Sequence, residues 1–123
     1  MKRFAVIGDP IAHSLSSTLH GEIYRQLDIK AEYEKIRVKD DSIHLFMDSN
    51  QLNGFNITLP HKQSIIPFLE ELDEAAQIIG AVNCIHKSKG FNTDWIGFAK
   101  AMEINCFDFN EKNVLSFYTL NYH

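Results

Sequence analysis

Hydrophobic and polar positions along this chain change period several times, and each change marks an element. Lys2 to Ile7 is a short apolar run closed by Gly8-Asp9-Pro10, the pattern of a buried strand entering a loop. From Ser16 the period becomes helical: Leu19, Ile23, Tyr24 and Leu27 fall on one face, behind Ser16 as N-cap. Gly21 inside that helix costs roughly 1 kcal/mol relative to alanine, so packing has to hold it. Ala31 to Val38 alternates with period two and predicts a strand. Asp40, Asp41 and Ser42 then offer caps for a helix with Ile43, Phe46 and Met47 on one face.

The second half repeats the alternation. "GFNIT" predicts a short strand, and Pro60 suits the first turn of the helix after it. Pro67 divides that helical region in two. Asp73 to Ile79 is helical and stops at Gly80; "AVNCI" reads as a strand, and Lys87 to Gly90 as a turn. Asp94 opens a helix with Trp95, Phe98, Ala99 and Met102 on one face. Strands alternating with helices predict an α/β fold, a three-layer sandwich with a mostly parallel sheet flanked by helices.

Composition narrows the function classes. The chain has 123 residues, enough for one ordinary core, and its 45% hydrophobic and 23% charged content suits a soluble globular domain. A net charge of −4 argues against a nucleic-acid or anionic-membrane surface, because both need a basic face. Asp9 interrupts the first apolar run, which is too short for a secretory leader or a membrane span. Cys84 and Cys106 form no C-x-x-C pair and read as reduced thiols of a cytoplasmic protein. The six histidines show no ligand spacing, so no metal site is expected.

In folds of this class, ligands bind outside the carboxyl ends of the strands. The polar residues at those positions are His13, Ser14 and Ser16 after the first strand, then Thr58, His61 and Lys62 after "GFNI". Asn83 follows "AV", and Asn92, Thr93 and Asp94 follow "GF". Each has a plain structural alternative: Ser16 and Asp94 as helix caps, Thr58 as a strand-end satisfier, Lys62 as a solvated lysine, Asn83 and Asn92 as turn formers. Those alternatives leave the grouping unexplained. Hydroxyls, amides, one ammonium and one carboxylate gathered at one sheet end suit a polyhydroxylated small acid.

Three stretches, "GDPIAHSLSSTLH", "GFNITLPHK" and "IGAVNCI…GFNTDWIGF", resemble the N-terminal substrate-binding domain of shikimate dehydrogenases, in the same order over Gly8 to Phe98. That family reduces 3-dehydroshikimate to shikimate with NADPH, in the pathway to aromatic compounds. The resemblance implies that Ser14 and Ser16 bind the substrate carboxylate, and that Thr58 and Asn83 hold ring hydroxyls. It makes Lys62 and Asp94 the catalytic pair, with Asn92 supporting the loop on the substrate side. An ammonium beside the reacting oxygen stabilises the charge that develops there and can donate a proton. Ser17 stands where the family usually has proline, Gly21 where asparagine is common, and Cys84 where threonine follows Asn83. Quinate-using enzymes share the same motifs.

The resemblance continues weakly to Leu115. "KNVL" at Lys112–Leu115 matches the opening strand of the family's cofactor domain, but "SFYTLNYH" follows and the chain contains no G-x-G-x-x-G. Residues 1–109 are therefore expected to form the substrate-binding domain, and 110–123 a truncated or aberrant start of the missing cofactor domain. On that reading the chain binds shikimate or 3-dehydroshikimate, holds no NADP by itself and is inactive alone. The competing expectations are a non-catalytic acid-binding module, or one that forms a homodimer through surface that the family's final helix would otherwise cover.

Overall fold

The computed structural model describes residues 1–104. They fall into two units, Met1–Asn92 and a second beginning at Thr93. The first unit is built on a six-stranded sheet. Its strands are β1 (Lys2–Gly8), β2 (Ala31–Arg37), β3 (Gly54–Ile57), β4 (Glu71–Leu72), β5 (Cys84–His86) and β6 (Lys89–Phe91), in the order β2-β1-β3-β5-β6-β4. Its helices are α1 (Ser16–Gln26), α2 (Ile43–Ser49), α3 (His61–Ser64) and α4 (Glu74–Ile79), with single 3-10 turns at Asp40–Ser42 and Ile66–Phe68.

β1 is an interior strand, lying between β2 and β3, and suits that place because it is apolar on both faces, with Ala5, Val6, Ile7 and Gly8 all buried. It pairs in parallel with β2 and β3, and β4 pairs in parallel with β6. β5 runs antiparallel to both β3 and β6, so the sheet is mixed, with a hairpin set into a mostly parallel frame. The turn expected over Lys87–Gly90 is shorter than the sequence pattern implied. Lys87 and Ser88 take positive φ (50° and 61°), a two-residue hairpin turn that lets β6 begin at Lys89. Neither β4 nor β6 carries an alternating run long enough to announce itself.

The core lies on one face of the sheet. Ala5, Ile7, Phe55, Ile57 and Ile85 meet Val38, Ile43, Ile65, Ala76 and Val82, which come from α2 to α4 and the segments around them. Phe46 of α2 packs edge-on to Phe55, with ring centroids 5.3 Å apart. α4 is bounded as the sequence predicts. Asp73 Oδ1 accepts from Ala76 N at 2.8 Å, and Gly80 ends the helix at φ 78°, a conformation in which any Cβ would be strained. Pro67 falls in the 3-10 turn that follows α3, so the helical region is indeed split there.

The opposite face carries α1. Phe4 of β1 meets Tyr24 of that helix, and His20 stacks on Tyr33 of β2. The second unit, taken by itself, contains α5 (Asp94–Ile104), with Asp94 in its first turn. Cys106, the boundary expected after residue 109 and the 110–123 tail lie outside the described residues.

Candidate functional site

The candidate residues of the first unit gather where β1, β2, β3 and β6 end and β5 begins. Parallel pairing puts the carboxyl ends of β1, β2 and β3 side by side. Asn83 does not end a strand, as "AVNCI" had suggested, but immediately precedes β5. Because β5 runs antiparallel to β3, its start lies at the carboxyl end of β3, and Asn83 reaches the expected place by the opposite route. β6 reverses direction again and delivers Asn92 just past its end.

Backbone hydrogen bonds join these loops into one rim. Thr58 N donates to Ile7 O at 2.9 Å, Asp9 N to Leu59 O at 3.0 Å and Val38 N to Gly8 O at 3.0 Å. Ile57 N donates to Asn83 O at 2.9 Å, and Val82 N to Lys62 O at 2.8 Å. The last bond fixes the start of α3, which bears Lys62, against the residue beside Asn83. Two side chains of β2 hold the loop after β1. Arg37 Nε donates to Asp9 Oδ1 at 2.7 Å, and Lys35 Nζ to Ala12 O at 3.0 Å.

Ser14, not Ser16, supplies the side-chain oxygen at the start of α1. Ser16 is not an N-cap; it is the first residue of α1, and the cap position, Leu15, makes no side-chain bond. Ser14 Oγ accepts from Ser16 N at 3.3 Å, a serine turn that does the capping work two residues early. Its own N–H donates to Ile11 O at 3.1 Å.

His61 belongs to the core rather than the site. It is fully buried, Nε2 donates to the Val38 carbonyl, and Nδ1 lies 3.3 Å from the Asp40 carboxylate. Asn92 is also buried, with Nδ2 donating to Ala81 O at 3.0 Å and its backbone N 3.4 Å from Asp73 Oδ1. It braces the segment that leads into Asn83. His13 is exposed on the loop, and Asp94 stands in the first turn of α5 in the second unit.

Two residues here escaped the sequence reading. Tyr33 donates from its hydroxyl to Asn56 Oδ1 at 2.7 Å, and Asn56 Nδ2 donates to Asn83 O at 3.3 Å. Burial pushes the Tyr33 phenol up to about 12, so it stays protonated and remains a donor at neutral pH. Burial lowers the His20 imidazole and raises the Cys84 thiol, which keeps both neutral. Alternation did place Tyr33 and Asn56 on one sheet face, but their pairing spans 23 residues of sequence and depends on strand order.

The model of the shikimate dehydrogenase substrate binding domain matches residues 6–85, more than half of the chain. The chain belongs to that family. It is 42% identical over 110 residues to the NADP(+) shikimate dehydrogenase of Desulfitobacterium hafniense, a match covering 84% of the chain and 40% of that protein. The solved structure of shikimate 5-dehydrogenase from Thermus thermophilus in complex with shikimate superposes with a TM-score of 0.77 at 33% identity, over 88% of the chain and 44% of that protein. Shikimate dehydrogenase 1 from Peptoclostridium difficile shares the fold, with a TM-score of 0.84 at 23% identity over 99% of the chain and 52% of that protein. The chain spans about 40% of the length of the curated relatives it matches.

The described residues do not fit the NADP that these relatives use. Dinucleotide phosphates need backbone N–H groups on a glycine-rich turn that opens a helix. Here Leu15 precedes α1, and the one glycine at the end of β1 is filled in: a Cβ on Gly8 would lie 2.5 Å from Thr58 Cγ2 and 2.9 Å from Leu59 O.

Proposed function

We propose that this chain supplies the substrate half of an NADP-dependent shikimate dehydrogenase, acting on shikimate and 3-dehydroshikimate. The observation that carries the reading is the shared rim: Ser14, Ser16, Thr58, Lys62 and Asn83 come from three separate segments tied by short hydrogen bonds. Ser14 and Ser16 donate to the carboxylate, and Thr58 and Asn83 hold ring hydroxyls. Lys62 holds or moves the proton at the reacting oxygen, with Asp94, assigned by its motif, as its partner. Asn92 acts through the backbone it braces. Residues 1–109 are the substrate-binding part in this reading, working in the cytoplasm, and the 123-residue chain binds the acid without turning it over.

Titration of the labelled chain with shikimate, followed by amide NMR shifts, tests this. Saturable shifts in the millimolar range are expected, because two charge-assisted bonds of about 1.5–3 kcal/mol each barely reach the ~4 kcal/mol of millimolar affinity. Lys62→Ala and Ser14→Ala should each weaken them severalfold. Shifts that ignore both substitutions would overturn the assignment, and NADPH oxidation by the chain alone with 3-dehydroshikimate would overturn its inactivity.

A second reading has one observation in its favour. α1 leaves Leu15, Leu19 and Leu27 largely exposed, at 79%, 60% and 66%. Self-association through that stripe predicts a concentration-dependent sedimentation coefficient, which Leu19→Lys should abolish.

A further inference from the structure

α3 is too short to place itself. It spans only His61–Ser64, and a single helical turn gains little from its own bonds, so anchors outside it decide where it sits. Ile65, just past the helix, is fully buried, and Val82 N donates to Lys62 O at 2.8 Å. The first anchor is non-directional, and the second holds only the backbone of Lys62. The His61 ring adds a directed side-chain bond, made without any exposed surface, to the loop after β2.

That bond runs from His61 Nε2 to the Val38 carbonyl, while Nδ1 lies 3.3 Å from the Asp40 carboxylate. Val38 is itself tied to the neighbouring loop, since its N–H donates to Gly8 O at 3.0 Å, at the end of β1. It therefore links the strand that leads to Ser14 and Ser16 with the turn that carries Lys62. Packing alone does not call for a histidine at this place. The fully buried side chains Ile7, Ile65, Val6 and Val82 are all aliphatic, and an imidazole in that company costs free energy unless its N–H is bonded.

Successive residues of a helix point about 100° apart around its axis. With His61 turned fully inward, Lys62 is carried to the side and left half-buried. Rotation of the turn would swing the lysine stem, and the His61 bond opposes it because a hydrogen bond weakens steeply out of line. We infer that His61 is a positioning residue for Lys62: held to Val38, its ring sets the rotation of α3, and with it the direction from which the lysine approaches the reacting oxygen. This rests on the proposed role of Lys62 toward that oxygen. His61, closed off from solvent, acts only through its neighbour.

The test titrates the 123-residue chain with shikimate and follows its amide shifts. Glutamine can place an amide N–H where His61 Nε2 stands, whereas asparagine is one bond too short to reach the Val38 carbonyl. His61→Asn should weaken binding about fivefold, the size of one net hydrogen bond, while the circular dichroism of the folded chain is retained. His61→Gln should come within about twofold of the unmodified chain. In the Lys62→Ala background, His61→Asn should cost less than about twofold, because the group it aims is already gone. An unaltered Kd in His61→Asn, an equal loss in His61→Asn and His61→Gln, or the same loss in both backgrounds would overturn the inference. If His61→Asn does not fold, the chain carrying 15N-histidine decides. The His61 Nε2 resonance should then move with the same saturation as the site amides. Disappearance of that response in Lys62→Ala supports the inference; its persistence there, or a ring that never responds while the amides do, overturns it. The absence of any saturable amide shift in the unmodified chain overturns the substrate reading itself, and this inference with it.

Discussion

The two faces of the sheet in the first unit solve different problems with the same strands. One face presents Ala5, Ile7, Phe55, Ile57 and Ile85 to a dry core. Along those strands the alternate residues, Phe4, Tyr33, Asn56 and Cys84, make the other face aromatic and polar. The first face has no choice of partner, since dispersion and burial are non-directional and reward volume. The second face is ordered by directed bonds, in which each donor must find one acceptor. Stability should therefore be concentrated on the core face, and the geometry that a ligand senses on the other.

The largest test of that division removes core volume. Ile65 is fully buried, and Ile65→Ala should lower stability by about 3 kcal/mol in urea unfolding. Under conditions where it remains folded, shikimate should still perturb the site amides. A smaller effect comes from adding volume instead. A Cβ on Gly90 would lie 2.7 Å from both Leu69 Cδ1 and Val82 Cγ1, so Gly90→Ala should cost about 1–3 kcal/mol. It would break the comparison if it changed affinity more than stability.

Asp73→Ala comes next, at about 1 kcal/mol for the lost α4 cap. Since Asp73 Oδ1 also sits 3.4 Å from Asn92 N, the same substitution should shift the amides around Ala81 to Asn83.

The smallest effect belongs to the polar face and appears in alkali. The Tyr33 phenol is raised by burial from 10.0 to about 12. The unfolded chain therefore loses this proton first as pH rises. Stability from Tyr33 is complete below pH 10 and declines as pH climbs toward about 12. Tyr24 is shifted in the same direction, also by burial. Unfolding measured across this window should show a shallower decline in Tyr33→Phe, and an unchanged slope would remove Tyr33 from the buried network.

Much of this was readable before any coordinates. The apolar run at β1, the alternation at β2 and the cap-to-glycine span at α4 report local backbone preference, which acts over a few residues. Three linked motifs were enough to point to the family that the comparisons then showed. The short pieces were harder. β4 and β6 span two and three residues, below the length at which periodicity carries information, and the Lys87-Ser88 turn lacks the glycine that usually marks one.

By itself, the sequence determined the longer strands and helices, the polar residues that follow the apolar runs, and the family to which the motifs belong. Tertiary structure alone decided that β5 runs antiparallel, so that Asn83, the residue just before it, lies at the rim. It also decided that His61 turns inward to Val38, and that Ser14, not Ser16, supplies the side-chain oxygen at the start of α1. Local pattern specifies which face a side chain occupies, because that depends on φ and ψ. Which strand lies next to it is settled by the packing of the whole core, and a directed bond exists only when both ends have been brought within about 3 Å.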